Sequence, residues 1–397
     1  GENNVRGDNM NKKILLPIVL LALSLLVIFP MGMSAGASSQ TMAGHSLQAS
    51  GFGEYLSEYN TGEVLYQHNA DAKHEIASMV KIMTANLIFD AIDEGKLSYD
   101  EMITISKEAS AMGGSQMFLD AGAQYSVSDL IKGIIVVSAN DASYAMAERL
   151  SGSVDAFVAK MNDKAAELGM VNTKFANCTG LPSESEQYST AKDVNIMTRS
   201  LMSHPKYFQY ASIWMEDYKH PSGRITQFVN TNKLLKQYSG CIGGKTGYTD
   251  KAGHCLSACA ERNGMKVVAT IVGGSDSKSR FNQVRAMFDY SFANYVNKIY
   301  YKQGDVLGSI NVKKSPIKSI EVACGGDITK FSQVGASAED LQIVLPSEVK
   351  APIKKGDVIG VATYMIDGKE HTVELIAMQD ARKSTFLDIL KGVTGEW

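Results

Sequence analysis

Two apolar runs meet at an Asn-Gly pair, and that junction constrains the fold more than any other stretch of the chain. His254-Cys255-Leu256-Ser257-Ala258-Cys259-Ala260 leads into Asn263-Gly264, and Lys266-Val267-Val268-Ala269-Thr270-Ile271-Val272 leads away. Asn-Gly takes up the left-handed backbone of a tight turn at little cost, so it joins two antiparallel strands as a hairpin. Helical spacing stands on both sides of it. The run around Ser78, with Ile82, Leu87, Ile88 and Ile92, is one helix. Ser128 to Val137, the segment through Arg149, Val154 to Leu168, and Ala191 to Ser203 are four more, and Phe281 to Val296 follows the hairpin. Phe52 to Leu56 and Val64 to Tyr66 read as strands about a turn at Asn60-Thr61-Gly62, and Met102 to Ile105 as a short strand. The expected fold class is α/β, of the α+β kind: an antiparallel sheet flanked by helices.

After about Asn297 the pattern changes. Short β-rich pieces recur at Val306 to Val312, Ile317 to Val322, Leu341 to Leu345, Val358 to Tyr364 and His371 to Ala377, separated by Gly, Asp and Lys turns. This predicts a small all-β C-terminal domain. The organisation read from the chain is a leader over 1–37, a small polar tether over 38–50, the helix-covered domain over 51–297, the β-rich domain over 298–381 and a short amphipathic tail over 382–397. In the tail Phe386, Leu387, Leu390, Val393 and Trp397 share helical spacing. That fits a membrane-surface helix, packing against the β-rich domain, or disorder. The leader has Lys12-Lys13, an apolar run from Ile14 to Met31 and an Ala35-Gly36-Ala37 cleavage signal, so the chain is expected to be exported; a retained N-terminal anchor is the alternative.

Composition excludes some chemistry. A net charge of −3 gives no reason to expect nucleic acid. Five cysteines form no disulfide framework and no Cys-x-x-Cys metal spacing, so no metal or other cofactor is expected. What remains is nucleophilic chemistry. Ser78 and Lys81 lie three apart at a helix start, where both fall on one face. A serine needs a base to take its proton, and a lysine serves only if its pKa is lowered. Six Ser-x-x-Lys pairs occur in the chain, so the spacing alone decides nothing. Two further motifs single out Ser78: Ser138-Ala139-Asn140 between two helices, and Lys245-Thr246-Gly247 entering a strand of the hairpin region. Ser-x-x-Lys, a Ser-x-Asn and Lys-Thr-Gly form the acylation set of penicillin-interacting serine enzymes. The structural alternatives are a helix N-cap for Ser78, a turn residue for Asn140 and a solvated strand end for Lys245.

With Thr61-Gly62-Glu63-Val64-Leu65-Tyr66, Tyr188-Ser189-Thr190-Ala191 and Lys245 through Gly253 added, the chain resembles the low-molecular-mass penicillin-binding proteins, serine-type D-Ala-D-Ala carboxypeptidases of peptidase family S11. The resemblance covers roughly Gly51 to Val296, and the β-rich domain suits it. It implies a β-lactamase/transpeptidase-like domain that removes the terminal D-alanine from peptidoglycan pentapeptides. Ser78 would be the nucleophile, Lys81 its base and Ser138 a proton relay; Asn140 would bind the substrate's peptide group and orient Lys81. Lys245 would lower the Lys81 pKa and, with Thr246, receive the terminal carboxylate, while Gly247 lets the strand come close. The backbone N–H groups of Ser78 and Tyr248 would form the oxyanion hole. Arg280 would meet the carboxylate, unless it is an ordinary surface arginine. The implied partners are a stem peptide ending in D-Ala-D-Ala, β-lactams as covalent inhibitors and a membrane surface, on the extracytoplasmic, cell-wall or membrane face of a bacterial cell. Two departures stand beside the chemistry: Cys178 where a proline commonly follows the asparagine, and Val80 where a threonine is usual. A D,D-endopeptidase would use the same residues. A class A β-lactamase needs a loop glutamate, for which Glu184 and Glu186 stand without a Glu-x-x-Leu-Asn arrangement, and a non-enzymatic wall-binding module would not need the intact set.

Overall fold

The computed structural model describes residues 47–335, 342–366 and 369–394; the expected leader, its cleavage site at Ala37 and most of the tether lie outside the described residues, as do Leu341 and Trp397. The chain opens with strands β1 (Gly53–Glu58) and β2 (Val64–His68), a 3₁₀ turn over Ala77–Met79, and α1 (Val80–Asp93). Next come β3 (Met102–Thr104), α2 (Lys107–Ser110), β4 (Gln124–Ser126), α3 (Val127–Val136), α4 (Asn140–Ser151), α5 (Val154–Glu167), α6 (Ala191–Met202) and α7 (Tyr207–Ala211). A hairpin of β5 (Met215–Lys219) and β6 (Ile225–Val229), then α8 (Leu234–Gln237), leads to β7 (Cys241–Thr249), β8 (Gly253–Arg262), β9 (Met265–Gly274) and α9 (Ser277–Asn294).

The expected hairpin is the centre of the fold. β8 and β9 pair up to Arg262 opposite Met265, and Asn263 and Gly264 carry φ of 51° and 74°, the left-handed pair that this turn requires. The antiparallel sheet runs β2-β1-β9-β8-β7, which leaves β7 on an outer edge. Strand side chains alternate between faces. Leu256, Ala258, Ala260, Val267, Ala269 and Ile271 therefore meet Phe281, Val284, Met287 and Phe288 of α9 on one side. Cys255, Cys259, Val268 and Val272 join the core of the helical layer on the other. Both faces are covered, as expected. A polar seam pins α6 to the second face: Asn195 accepts from Ser57 Oγ at 2.7 Å and donates to the Val268 carbonyl at 2.9 Å. Each of these buried groups has a partner, so the seam fixes register without an unmet hydrogen bond.

The helix expected over Phe281 to Val296 starts earlier and stops at Asn294, because Tyr295 opens strand β10 (Tyr295–Tyr301). β10 pairs with β13 (Ile328–Gln333), and Tyr295 stacks on Phe331 at 5.1 Å. Between them lie β11 (Val306–Lys313) and β12 (Ser319–Cys324); β14 (Ile343–Val344), β15 (Glu348–Lys350), β16 (Val358–Ile366) and β17 (Lys369–Ala377) follow. These complete a six-stranded sheet, β14-β16-β17-β12-β11-β15, in which, among the described residues, only β15 runs parallel to its neighbour. Ile310, Ile320, Val322, Ala362 and Leu375 fill its core. The tail segment forms helix α10 (Phe386–Thr394). The Tyr207 to Tyr218 aromatics are packing groups: Tyr207, Tyr210 and Tyr218 are buried.

Candidate active site

The three motifs meet at the outer edge of the sheet. Ser78 lies inside the 3₁₀ turn that feeds α1, one turn before Lys81. The tighter turn brings i and i+3 side chains into line, and Lys81 Nζ donates to Ser78 Oγ at 3.0 Å. Lys81 also donates to the Thr179 carbonyl at 2.6 Å and is 1% exposed. Burial pulls its amine down to about 7, against the opposing effects of Cys178 and Asp141. The expectation that Lys245 does this is corrected: loss of hydration is the leading cause, because a charged ammonium in a dry site is costly whatever its neighbours.

Two glycines let the serine turn sit where it does. At Gly180, φ is 81° and a Cβ would lie 1.9 Å from the Ala77 carbonyl oxygen and 2.8 Å from the Ser78 nitrogen. At Gly247 a Cβ would lie 2.6 Å from the Ile76 oxygen and 3.2 Å from the Met79 nitrogen. The turn is thus clasped between the 177–181 loop and strand β7. Asn177 shapes that loop by accepting from the N–H groups of Thr179 and Gly180 at 3.1 and 2.7 Å. Cys178 and Val80, the two departures, are both buried, and neither replaces a reactive group.

Ser138 links α3 to α4 with φ of 63° and is 4% exposed. Lys245, on β7, donates to Ser138 Oγ at 2.8 Å and to the Thr246 carbonyl at 2.9 Å. Burial lowers the Lys245 pKa well below its usual range, helped by the charges of Lys81 and Arg280. The site therefore holds two serine–lysine couples: Ser78 with Lys81 and Ser138 with Lys245. Asn140 does not orient Lys81. Its Nδ2 donates to the Gly113 carbonyl at 2.7 Å, while the Lys81 protons go to Ser78 and Thr179. Thr246 donates to Thr231 Oγ1 at 2.8 Å. Tyr248 is exposed, stacks on His254 at 4.4 Å and donates to Asp250 at 2.9 Å. Arg280 is turned to backbone carbonyls of β7 and β8 rather than to open solvent, so neither the surface reading nor a presented carboxylate clamp describes it.

Sequence reasoning missed Thr179, whose carbonyl holds Lys81, and Thr231, which meets Thr246. The polar Asn177-to-Ser189 loop was legible as a loop, but nothing local says which of its carbonyls faces a lysine 98 residues away. Glu184 and Glu186 are exposed, and Glu186 lies 3.6 Å from Lys174. Neither is bonded to the serine–lysine couples. Chemically, the arrangement offers a hydroxyl on an amine whose pKa burial lowers, a second hydroxyl to pass protons, and a strand edge along which an acyl group can lie.

The family model described as D-alanyl-D-alanine carboxypeptidase matches residues 41–276, and that of the penicillin-binding protein 5 C-terminal domain matches 295–383. The chain is 37% identical to the D-alanyl-D-alanine carboxypeptidase DacF of Bacillus subtilis over 388 residues, 97% of this chain and 99% of that protein. It is 33% identical to the D-alanyl-D-alanine carboxypeptidase DacA of Escherichia coli, over 86% and 87% of the two chains. The crystal structure of penicillin binding protein 5 from Haemophilus influenzae is similar at a TM-score of 0.63 and 30% identity, covering 85% of this chain and 98% of that one.

Proposed function

The chain belongs to the D-alanyl-D-alanine carboxypeptidase family of serine peptidases, and from that premise we propose that Ser78 carries the reaction as its acylated nucleophile. The chain is a serine hydrolase that acts as a D-Ala-D-Ala carboxypeptidase. The observation that carries the Ser78 assignment is the buried, depressed Lys81 amine on its hydroxyl. Lys81 takes the Oγ proton as Oγ attacks the carbonyl of the penultimate D-alanine. The new C–O bond forms, and the oxyanion rests on the N–H groups of Ser78 and Tyr248, each such donor being worth about 10²–10³ in rate. The C–N bond then breaks, the leaving amine receiving its proton through Ser138, which Lys245 holds. Lys245 and Thr246 bind the terminal carboxylate, Asn140 binds the peptide group, and water releases the peptide from Ser78. A β-lactam presents a similar acyl group and carboxylate and acylates the same oxygen.

Incubating the protein with a fluorescent penicillin and with diacetyl-Lys-D-Ala-D-Ala tests this. We expect a stable adduct on Ser78 and release of D-alanine, both lost in Ser78→Ala with the fold unchanged by circular dichroism. A labelled Ser78→Ala protein would sink the assignment, and rapid turnover of the penicillin would point to a β-lactamase. Because the substrate is part of the cell wall, export through the expected leader fits this reading. Helix α10 supports contact with the membrane surface: Phe386, Leu387, Ile389 and Leu390 are all exposed on it. Among the described residues no helix is long and apolar enough to cross a membrane.

A further inference from the structure

Arg280 reads in sequence as a partner for a carboxylate, yet the fold engages it elsewhere. It sits in the first turn of α9, where Asp276 accepts from the backbone N–H groups of Lys278 and Ser279 at 2.7 and 2.8 Å and so fixes the helix start. The side chain is 8% exposed, and its Nε is buried without a partner. Its Nη1 donates to the Gly247 carbonyl at 3.0 Å and to the Cys255 carbonyl at 3.2 Å. Gly247 and Cys255 face each other across β7 and β8.

The Gly247 carbonyl belongs to the same peptide unit as the Tyr248 N–H. In a trans peptide the two point in opposite directions, and among the described residues the cis bond is at Ala351–Pro352. With the carbonyl drawn toward Arg280 and β8, the Tyr248 N–H is turned to the free edge of β7. The Ser78 turn packs against the same strand at Gly247, close enough that this residue has no room for a Cβ. We propose that Arg280 is a positioning residue for the oxyanion hole: its guanidinium grips the carbonyl end of the Gly247–Tyr248 peptide and so orients and polarises the N–H at the other end. Positive charge on the carbonyl oxygen draws electron density along the amide and makes its N–H a stronger donor, as in any chain of hydrogen bonds. The bond to Cys255 on the neighbouring strand locks the same plane to the body of the sheet. This inference rests on the Ser78 acyl-enzyme reading.

The test uses the full chain with Arg280→Gln, which removes the charge, and Arg280→Lys, which keeps it without the planar fork. Stopped-flow acylation by benzylpenicillin separates initial binding from the acylation step, and infrared spectroscopy reads the ester carbonyl of the penicilloyl adduct. We expect the limiting acylation rate to fall about 10- to 100-fold in Arg280→Gln, below the full loss of a donor, with initial binding changed less than about twofold. The ester carbonyl band should move to higher wavenumber, and Arg280→Lys should recover part of both effects. Weakened initial binding with an unmoved carbonyl band would overturn the proposal and make Arg280 a carboxylate anchor. Unchanged acylation in both variants would overturn it too. Should Arg280→Gln not fold, the carbonyl band and rate of Arg280→Lys decide alone, an unmoved band again counting against the proposal. A wild-type protein that forms no adduct would instead remove the Ser78 reading on which this one stands.

Discussion

At the scale of single residues, Lys81 decides the pH behaviour. Its amine sits at about 7 in the fold against 10.5 when free. Between those values the unfolded chain binds the proton that the folded chain has released. Burial of Lys81 therefore costs stability in full below pH 7, and the cost fades as the pH rises toward 10.5. In the proposed reaction the neutral amine is also the form that takes the Ser78 proton. The acylation rate with benzylpenicillin should rise with pH through an apparent pKa within about one unit of 7 and then level off. Lys81→Arg, which cannot release its proton at these pH values, should lose acylation at every pH tested. A flat profile between pH 5 and 9 would show that another group is the base. The residues themselves were legible because each motif carries its chemistry locally. Their partners were not. Thr179 and Thr231 are recognisable only once the chain brings Lys81 and Thr246 to them, and Asn140, whose amide donates to the Gly113 carbonyl, has no bond to Lys81.

At the scale of elements, the short turn before α1 matters more than the helix. Its backbone is held from two sides, by the Gly180 loop and by Gly247 of β7. Gly180→Ala should place a methyl group against the Ala77 carbonyl and force a side chain into a left-handed backbone. We expect a loss of about 2 kcal/mol or more, from the left-handed backbone and the clash together, seen as a Tm drop of about 4–8 °C. Penicillin acylation should fall at least tenfold, since the proposed nucleophile moves with the turn. An alanine variant with wild-type melting and acylation would show that the loop yields and the clasp is loose. The central hairpin was legible because Asn263-Gly264 and two apolar runs say the same thing at two levels, turn and strand. The β5–β6 hairpin was not, because Met215-Glu216-Asp217-Tyr218-Lys219 and Ile225-Thr226-Gln227-Phe228-Val229 show no period-two alternation over their five positions each, and Met215 and Ile225 stay exposed. β10 was read as the end of a helix because Tyr295 and Val296 continue the apolar spacing of α9.

At the scale of the whole molecule, the serine–lysine couples gather at edge strand β7 of the first sheet, and α10 lies at the far end of the chain. Removing residues 382–397 takes away the Arg382–Asp388 pair, bonded at 2.5 and 2.9 Å, with the exposed apolar side chains of α10. It should leave hydrolysis of diacetyl-Lys-D-Ala-D-Ala unchanged within about twofold and abolish co-sedimentation with anionic phospholipid vesicles. Vesicle binding that survives the truncation would assign the tail to packing. The whole chain also shows where backbone strain is kept. Among the described residues the positive-φ positions other than glycine are Asn69, Ala77, Phe118, Ser138, Asn263 and Lys314. One is the hairpin turn; two belong to the site, Ala77 immediately before the proposed nucleophile and Ser138 as the second serine. A threonine offers the same hydroxyl as serine, but its branched Cβ is poorly tolerated at such a φ. The first letter of Ser-x-Asn is thus spelled by the shape of the chain as well as by its proton chemistry. A genome search that accepted any hydroxyl at that position would gather sequences able to write the reaction but not to fold around it.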